Sequence, residues 1–189
     1  VKQQFYTFKS FDELYFGGES IKNIIKKTDF TLKDFDPSFP IEENKFKEGN
    51  LNYQYLGYYL KWDPQECFYY ASENTGFKPN TERTEGSYSK YSSIDDKIDN
   101  FHYYTSLIKF GIGRATSDAA QEIRNKKITR EEAVSLVRQF DNEFPKKYFK
   151  EFLEYIGIDE ETFFNTVDKF RSSHLWENNS GKWQLKTRI

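Results

Sequence analysis

The sequence predicts a mainly α fold with a minor strand or hairpin component. Three observations carry that expectation. From Ile94 almost to the end, apolar residues recur at helical spacing between recognisable caps. Only residues 51–60, dense in Tyr and Leu, and a pair of Trp near the end offer strand material. The apolar residues are also unusual in kind: 19 Phe, 14 Tyr and 3 Trp outnumber all the Ala, Val, Ile, Leu and Cys of the 189-residue chain. Aromatic rings bury large areas, so a few of them can build a core.

Residues 1–50 read as short helical pieces between breakers. Ser10-Phe-Asp-Glu13 has capping-box spacing, with Gly17-Gly18 as the stop. Ile21, Ile24 and Ile25 mark a second short helix over residues 20–27, and Pro37 and Pro40 interrupt the chain beyond it. Isolated helices this short are marginal, so the segment is expected to pack on something larger. The second region, 51–189, opens with the candidate strand at 51–60. Asp63-Pro-Gln-Glu66 is a helix start: Asp as N-cap, Pro at the first helical position and Glu three residues on. Residues 78–93 are polar and irregular, and Tyr88 and Tyr91 favour an ordered loop there. Thr129-Arg-Glu-Glu132 caps a helix with Ala133, Val134, Val137 and Phe140 inward. Pro145 is expected to begin another, stopped by Gly157. Asp159 caps a third, with Phe163, Phe164, Val167 and Phe170 inward. Trp176 and Trp183 flank Asn178-Asn-Ser-Gly181, which suits a terminal hairpin over 175–186.

Several functions are excluded early. The 28 Lys and Arg against 30 Asp and Glu leave a net charge of −2 and no general attraction to nucleic acid. No apolar run approaches the ~20 residues of a membrane span. With no signal-peptide pattern at the start, a cytoplasmic location is expected. The single Cys67, beside Phe68, Tyr69 and Tyr70, can form neither an internal disulfide nor a cysteine zinc cage, and is expected to be a buried, inert thiol. His174 has no visible acid partner and is read as structural.

The segment that could carry chemistry is the helix expected over 94–112. Ile94, Ile98, Phe101, Thr105, Ile108 and Ile112 form one mostly apolar stripe. Asp95, Asp99, His102, Ser106 and Lys109 form a polar one beside Tyr103 and Phe110. A polar seam between hydrophobic faces suits a cleft or an interface. Asp99 and His102, one turn apart, permit part of a metal or acid–base site, though one helix supplies only part of a coordination shell. His102, Ser106 and Lys109 could instead recognise an anionic or sugar ligand. A purely structural reading has Asp95, Asp96 and Asp99 complementing the helix dipole and pairing with Lys97. No metal site is assigned. The preceding loop, Arg83-Thr-Glu-Gly-Ser-Tyr-Ser-Lys90, joins cations and hydroxyls that can grip phosphate or sugar. Gly111-Ile-Gly113-Arg114 lacks a third Gly and follows a helix, which rules out a dinucleotide fingerprint. It leaves Arg114 near a helix N-terminus, where an anion is favoured. The residues expected to face substrate are therefore Arg83, Ser89, Lys90, His102, Lys109 and Arg114, supported by Asp95, Asp96, Asp99 and Ser106.

The run from Arg83 through Ser93-Ile-Asp-Asp-Lys-Ile-Asp99, with Lys109-Phe-Gly-Ile-Gly-Arg-Ala-Thr116, resembles the N-acetyl sugar amidotransferase family. Ala120-Gln-Glu-Ile-Arg-Asn125, Ile128-Thr-Arg-Glu-Glu132 and Phe140-Asp-Asn-Glu-Phe-Pro145 extend the resemblance, which runs from about Tyr55 to Trp176. It implies the helical C-terminal region of a PP-loop α/β enzyme of lipopolysaccharide O-antigen or flagellin glycan biosynthesis. In such an enzyme ATP, with Mg, activates the acetamido oxygen of a nucleotide-linked N-acetyl sugar, and ammonia converts the group to acetamidino. A glutaminase and cyclase-like pair supplies the ammonia. The Ser-Gly-Gly-x-Asp-Ser ATP loop and the Cys-x-x-Cys pairs are absent from this sequence, and Gly17-Gly18 does not replace them. The chain thus resembles the C-terminal half only, and the lack of an initiating Met fits truncation. Residues 1–50 would link to a missing ATP-binding domain. No cofactor is expected in the chain itself. Its role would be sugar-nucleotide binding or, alternatively, docking of the ammonia-supplying pair or a second subunit by the helices after Thr129. A third possibility is a free-standing metal hydrolase built on Asp99 and His102.

Overall fold

The structure, a computed structural model, describes residues 5–6, 14–16, 18–39 and 41–187. It is mainly helical, with two small antiparallel hairpins among the described residues. The chain divides into two compact units between Trp62 and Asp63. The helix start at Ser10-Phe-Asp-Glu13 lies outside the described residues.

The first unit holds short elements. β1 (Tyr15–Phe16) and β2 (Glu19–Ser20) pair antiparallel, so Gly18, at φ +87°, serves a strand turn and not a helix stop. Ser20 then caps α1 (Ile21–Lys27), its hydroxyl accepting from the Asn23 N–H. A 3-10 helix spans Leu32–Ser38 with Pro37 inside it, opened by the Asp34 carboxylate accepting from the Thr31 N–H and hydroxyl. α2 is Glu43–Glu48. The strand expected at 51–60 is not formed: only Gln54 bridges, to Phe5, and Leu56–Tyr59 turns into the short helix α3. A lone strand has no ladder to satisfy its backbone, and a helical turn closes its own hydrogen bonds.

The second unit begins with the Asp63 carboxylate accepting from the Glu66 N–H, which caps α4 (Pro64–Asn74). Cys67 on this helix is exposed, not buried, because the face that packs is that of Phe68, stacked on Tyr91 at 4.6 Å. α5 runs Asp99–Phe110, a turn shorter at its start than the stripe predicts. Asp96 accepts from the Ile98 N–H and holds residues 94–98 out of the helix. The buried face is also rotated: Phe101, Leu107 and Ile108 are buried, whereas Ile94, Thr105 and Ile112 are exposed. α6 (Arg114–Arg124) packs on α7 (Arg130–Phe140) across the buried Ala115, Ala119 and Ala133, and Thr129 and Glu132 complete the expected capping box. α8 is Phe149–Ile156 and starts four residues beyond Pro145, because residues 145–148 form a turn. α9 (Glu160–Lys169) is capped by Asp159, whose carboxylate accepts from Thr162. Phe170, expected inward, lies past its end and is exposed.

The core joins Leu107 and Ile108 of α5, Phe163 and Val167 of α9 and Trp176, surrounded by Phe144, Phe149 and Phe152. Phe101 stacks on Phe152 with centroids 4.1 Å apart. The late Phe residues make the core that their spacing implies. The terminal hairpin pairs β3 (Trp176–Asn179) with β4 (Lys182–Leu185). Ser180 and Gly181 both take positive φ, the primed turn whose twist matches two strands. The Trp176 indole N–H donates to the Ile108 carbonyl at 2.7 Å and ties the hairpin to α5.

A clasped polar loop and two cavities

Residues 78–93 are irregular, yet they contain the most buried polar side chains described. Ser87 is 0% exposed, and Thr84 and Ser89 are also buried. Burial of this kind requires that each polar group find a partner. The Thr84 N–H donates to the Ser89 carbonyl, the Ser87 N–H to the Thr84 carbonyl and the Ser87 hydroxyl to Asp118 at 2.5 Å. Arg83 makes a two-pronged pair with Glu143, 2.6 Å on each prong, donates to the Ser87 carbonyl and lies over the Phe140 ring. Glu143 also accepts from the Gly86 N–H at 2.8 Å. The Arg83 hydrogen bonds hold the Glu143 carboxyl below its ordinary range against an opposing push from burial, and the same pair raises the guanidinium.

Arg114 is likewise committed. Its side chain donates to Asp118 at 3.0 Å and to the Ser93 hydroxyl at 3.2 Å, approaches Asp99 at 3.8 Å and lies over Tyr103. The anion expected at its helix N-terminus is supplied by the protein. Asp141 accepts from the N–H groups of Gly113 and Thr116 and from the Thr116 hydroxyl. A Cβ on Gly113 would lie 2.6 Å from that carboxylate, so glycine is needed for the approach. A nucleotide phosphate does not fit here: Asp141 already fills the N-terminus with negative charge.

Beside the loop, Tyr88 faces Glu122. Burial raises the Tyr88 phenol and, aided by Glu122 and Asp118, pushes Tyr91 up to about 12. Burial also raises Glu122, partly offset by the Tyr88 hydroxyl. Among the described residues no group of three His, Cys, Asp or Glu is placed to hold a metal ion. Asp99 is spent on the Ser93 hydroxyl and Arg114, and the His102 ring lies edge-on to Tyr103.

The sequence-predicted residues do not converge on one site. Arg83, Asp95 and Asp96 line a polar cleft of about 590 Å³. His102, Ser106 and Lys109 line a separate, largely apolar cavity of about 450 Å³ between α5 and α9. Ser89 is buried against the Ser92 hydroxyl, and Lys90 donates to the Thr81 carbonyl. The polar cleft is completed by Asn100, Lys147 and Tyr148, which had no expected role, and by Lys97, expected to pair with Asp95, Asp96 and Asp99 but paired with Glu151. Lys97 and Lys147 stand over the Tyr148 ring at 5.2 and 5.4 Å, paired at their outer ends with Glu151 and Glu82. The Asn100 amide oxygen is buried without a hydrogen bond. Asp141 and Glu143 were also missed as organisers. The signal for Asp141 lay in Gly113, an N-cap with no side chain, which leaves the first N–H groups of α6 to an acceptor from elsewhere; Glu143 had no local signal.

The architecture defines a helical domain that orders a polar loop beside a cleft whose volume falls in the usual range of about 300–1,000 Å³ for small-molecule sites. The family model of the lipopolysaccharide biosynthesis protein WbpG-like C-terminal domain matches residues 85–189, and the chain belongs to that family. No curated protein matches the chain. No helix among the described residues is long and apolar enough to cross a membrane.

Proposed function

We propose that this domain binds the nucleotide-linked N-acetyl sugar of an ATP-dependent amidotransferase of lipopolysaccharide O-antigen or flagellin glycan biosynthesis, and that the polar cleft is the binding site. The observation that carries the reading is the arrangement around Tyr148. Its ring gathers the ammonium groups of Lys97 and Lys147 into one cleft, where a diphosphate would need charge. Asp95 and Asp96 supply acceptors for sugar hydroxyls, and Asn100 brings an amide that lacks one partner. The ion pairs of both lysines lie at the surface, where such pairs contribute about 0–1 kcal/mol, so an incoming phosphate can displace the carboxylates.

ATP activation of the acetamido oxygen is assigned to another domain, since this chain has no ATP loop and its glycine-flanked helix start is filled by Asp141. A saturating nucleotide-linked N-acetyl sugar, with UDP-N-acetylglucosamine as probe, should raise the melting temperature by several degrees; ligand at 100 times Kd contributes about 2.7 kcal/mol. Tyr148→Ala should remove the shift while leaving the unliganded melt close to its original value. An unchanged melt in the wild type would reject the reading.

A second reading, docking of a glutaminase and cyclase-like ammonia source, is favoured by a different observation. Leu56, Tyr58, Leu60 and Trp62 are all exposed. The helices after Thr129 offer less to a partner, because Phe149, Phe152 and Phe163 are spent on the core. Co-purification with the partner pair and no sugar-dependent shift would favour this second reading.

A further inference from the structure

The cavity between α5 and α9 is chemically unlike the polar cleft. Ile108, Phe163 and Val167 form its depth, and Phe110, Ile156 and Phe170 stand exposed at its rim. None of its lining residues is acidic. An apolar space of about 450 Å³ is poorly suited to ordered water, which needs two to four polar partners. One formal charge stands at its edge, that of Lys109. The ammonium lies 5.4 Å from the Phe110 ring centre and 6.0 Å from that of Phe170, with no carboxylate within 4 Å among the described residues. Such ring contacts at an exposed position are weak beside a matched anion. Ser106 and Thr166 add hydroxyls to the wall, whereas the Thr105 hydroxyl is turned back to its own helix carbonyls.

We infer that this cavity is a second ligand site, independent of the sugar cleft, and that it takes an anionic amphiphile: an apolar body seated between α5 and α9 with one negative group on Lys109. Charge complementarity selects the occupant. A neutral hydrophobe would leave the ammonium unmatched, and a fully polar anion such as a sugar phosphate would leave Phe110, Ile156 and Phe170 in water. Aliphatic and aromatic bodies share this chemistry, and the test separates them.

The test titrates the whole chain with 8-anilinonaphthalene-1-sulfonate, an aromatic anion, then displaces it with monomeric dodecyl phosphate or uncharged dodecyl maltoside. One saturable dye site is expected per chain. Dodecyl phosphate should displace the dye at least tenfold better than the maltoside if the body is aliphatic. If the body is aromatic, dye binding persists against both detergents. In either case Lys109→Ala, a change on an exposed helix position, should weaken dye affinity about tenfold. Ser106→Phe fills the cavity and should abolish the saturable site. Unchanged dye affinity in Lys109→Ala overturns the inference, as does full displacement of the dye by phosphate and maltoside at the same concentration. Self-association reversed by Phe170→Glu, with no saturable dye site, would assign the face to a second copy and overturn it equally.

Discussion

Residues 83–93 and residues 51–62 reverse the usual relation between hydropathy and burial. The first stretch is Arg, Thr, Glu, Gly, Ser, Tyr and Lys almost throughout, yet Ser87 is wholly enclosed and Thr84 and Ser89 nearly so. The second is rich in Tyr, Leu and Trp, yet Leu56 is 69% exposed and Trp62 65%. What separates them is the supply of partners. Carboxylates from α6 and from the segment after α7 reach the loop and satisfy the Arg83 guanidinium, the Gly86 N–H and the Ser87 hydroxyl. Along residues 51–62 the large apolar side chains stay in solvent: Leu51, Leu56, Leu60 and Trp62 are all exposed. Composition reports what a segment could bury, and long-range partners decide what it does bury.

The sharpest way to break this contrast is to remove a partner. Asp141→Ala leaves the start of α6 without its carboxylate and strips three hydrogen bonds from a buried position. Bonds to a charged group contribute about 1.5–3 kcal/mol each and act as a unit here, so a loss of about 3 kcal/mol is expected in urea unfolding. A change under 1 kcal/mol would mean that the buried carboxylate does not hold the start of α6.

Glu143→Gln comes next, at about 1–2 kcal/mol, because the amide keeps one acceptor for Arg83 but loses the two-pronged charged pair. Its pH dependence gives a second readout. The carboxyl is held below its unfolded value, so its contribution is fully present above the ordinary glutamate range of about 4.3 and is lost as pH falls through the lower folded pKa. The difference between wild type and variant should therefore shrink as the buffer is taken from pH 6 towards pH 3.

Much of this was legible in the sequence. The caps at Asp63, Thr129 and Asp159 state their own helices, because a cap is a local contract between residues three apart. The terminal hairpin was legible for the same reason, through Asn178-Asn-Ser-Gly181. The start of α5 was not, because periodicity cannot show that Asp96 will take the Ile98 N–H for itself. The candidate site was legible as a composition and illegible as a geometry. Arg83 and Glu143 are 60 residues apart, and nothing in the spacing of either announces the other. The same blindness divided one expected seam: His102, Ser106 and Lys109 line one cavity, Asp95 lines another, and Asp99 is spent on Ser93 and Arg114.

Beside the buried stretch, on α6, one carboxyl is incompletely served, and it sharpens the comparison. Burial raises the Glu122 carboxyl and outweighs the Tyr88 hydroxyl that faces it. A raised acid penalises the folded state once pH exceeds the unfolded pKa, reaching its full cost above the folded one. Glu122→Gln should therefore stabilise the chain at pH 7 by about 1 kcal/mol or less and leave stability unchanged near pH 3, where both states are protonated. Destabilisation at pH 7 would show that the carboxylate charge is itself a required partner of the loop.

The smallest expected effect tests the other half of the contrast. Leu56→Ser and Leu60→Ser replace large apolar side chains that the fold leaves in solvent. If partners and not hydropathy decide burial, each should change the unfolding free energy by no more than about 0.5 kcal/mol, the range of ordinary surface substitutions. A loss of about 2 kcal/mol or more is what a core leucine gives, and would place residues 51–62 inside a packed interface of the isolated chain. The near-neutral outcome has its own consequence. Exposed leucines kept without a stabilising role are apolar surface of the kind a protein partner covers, so under the docking reading proposed above the same two variants should lower affinity for that proposed partner while leaving the melt intact.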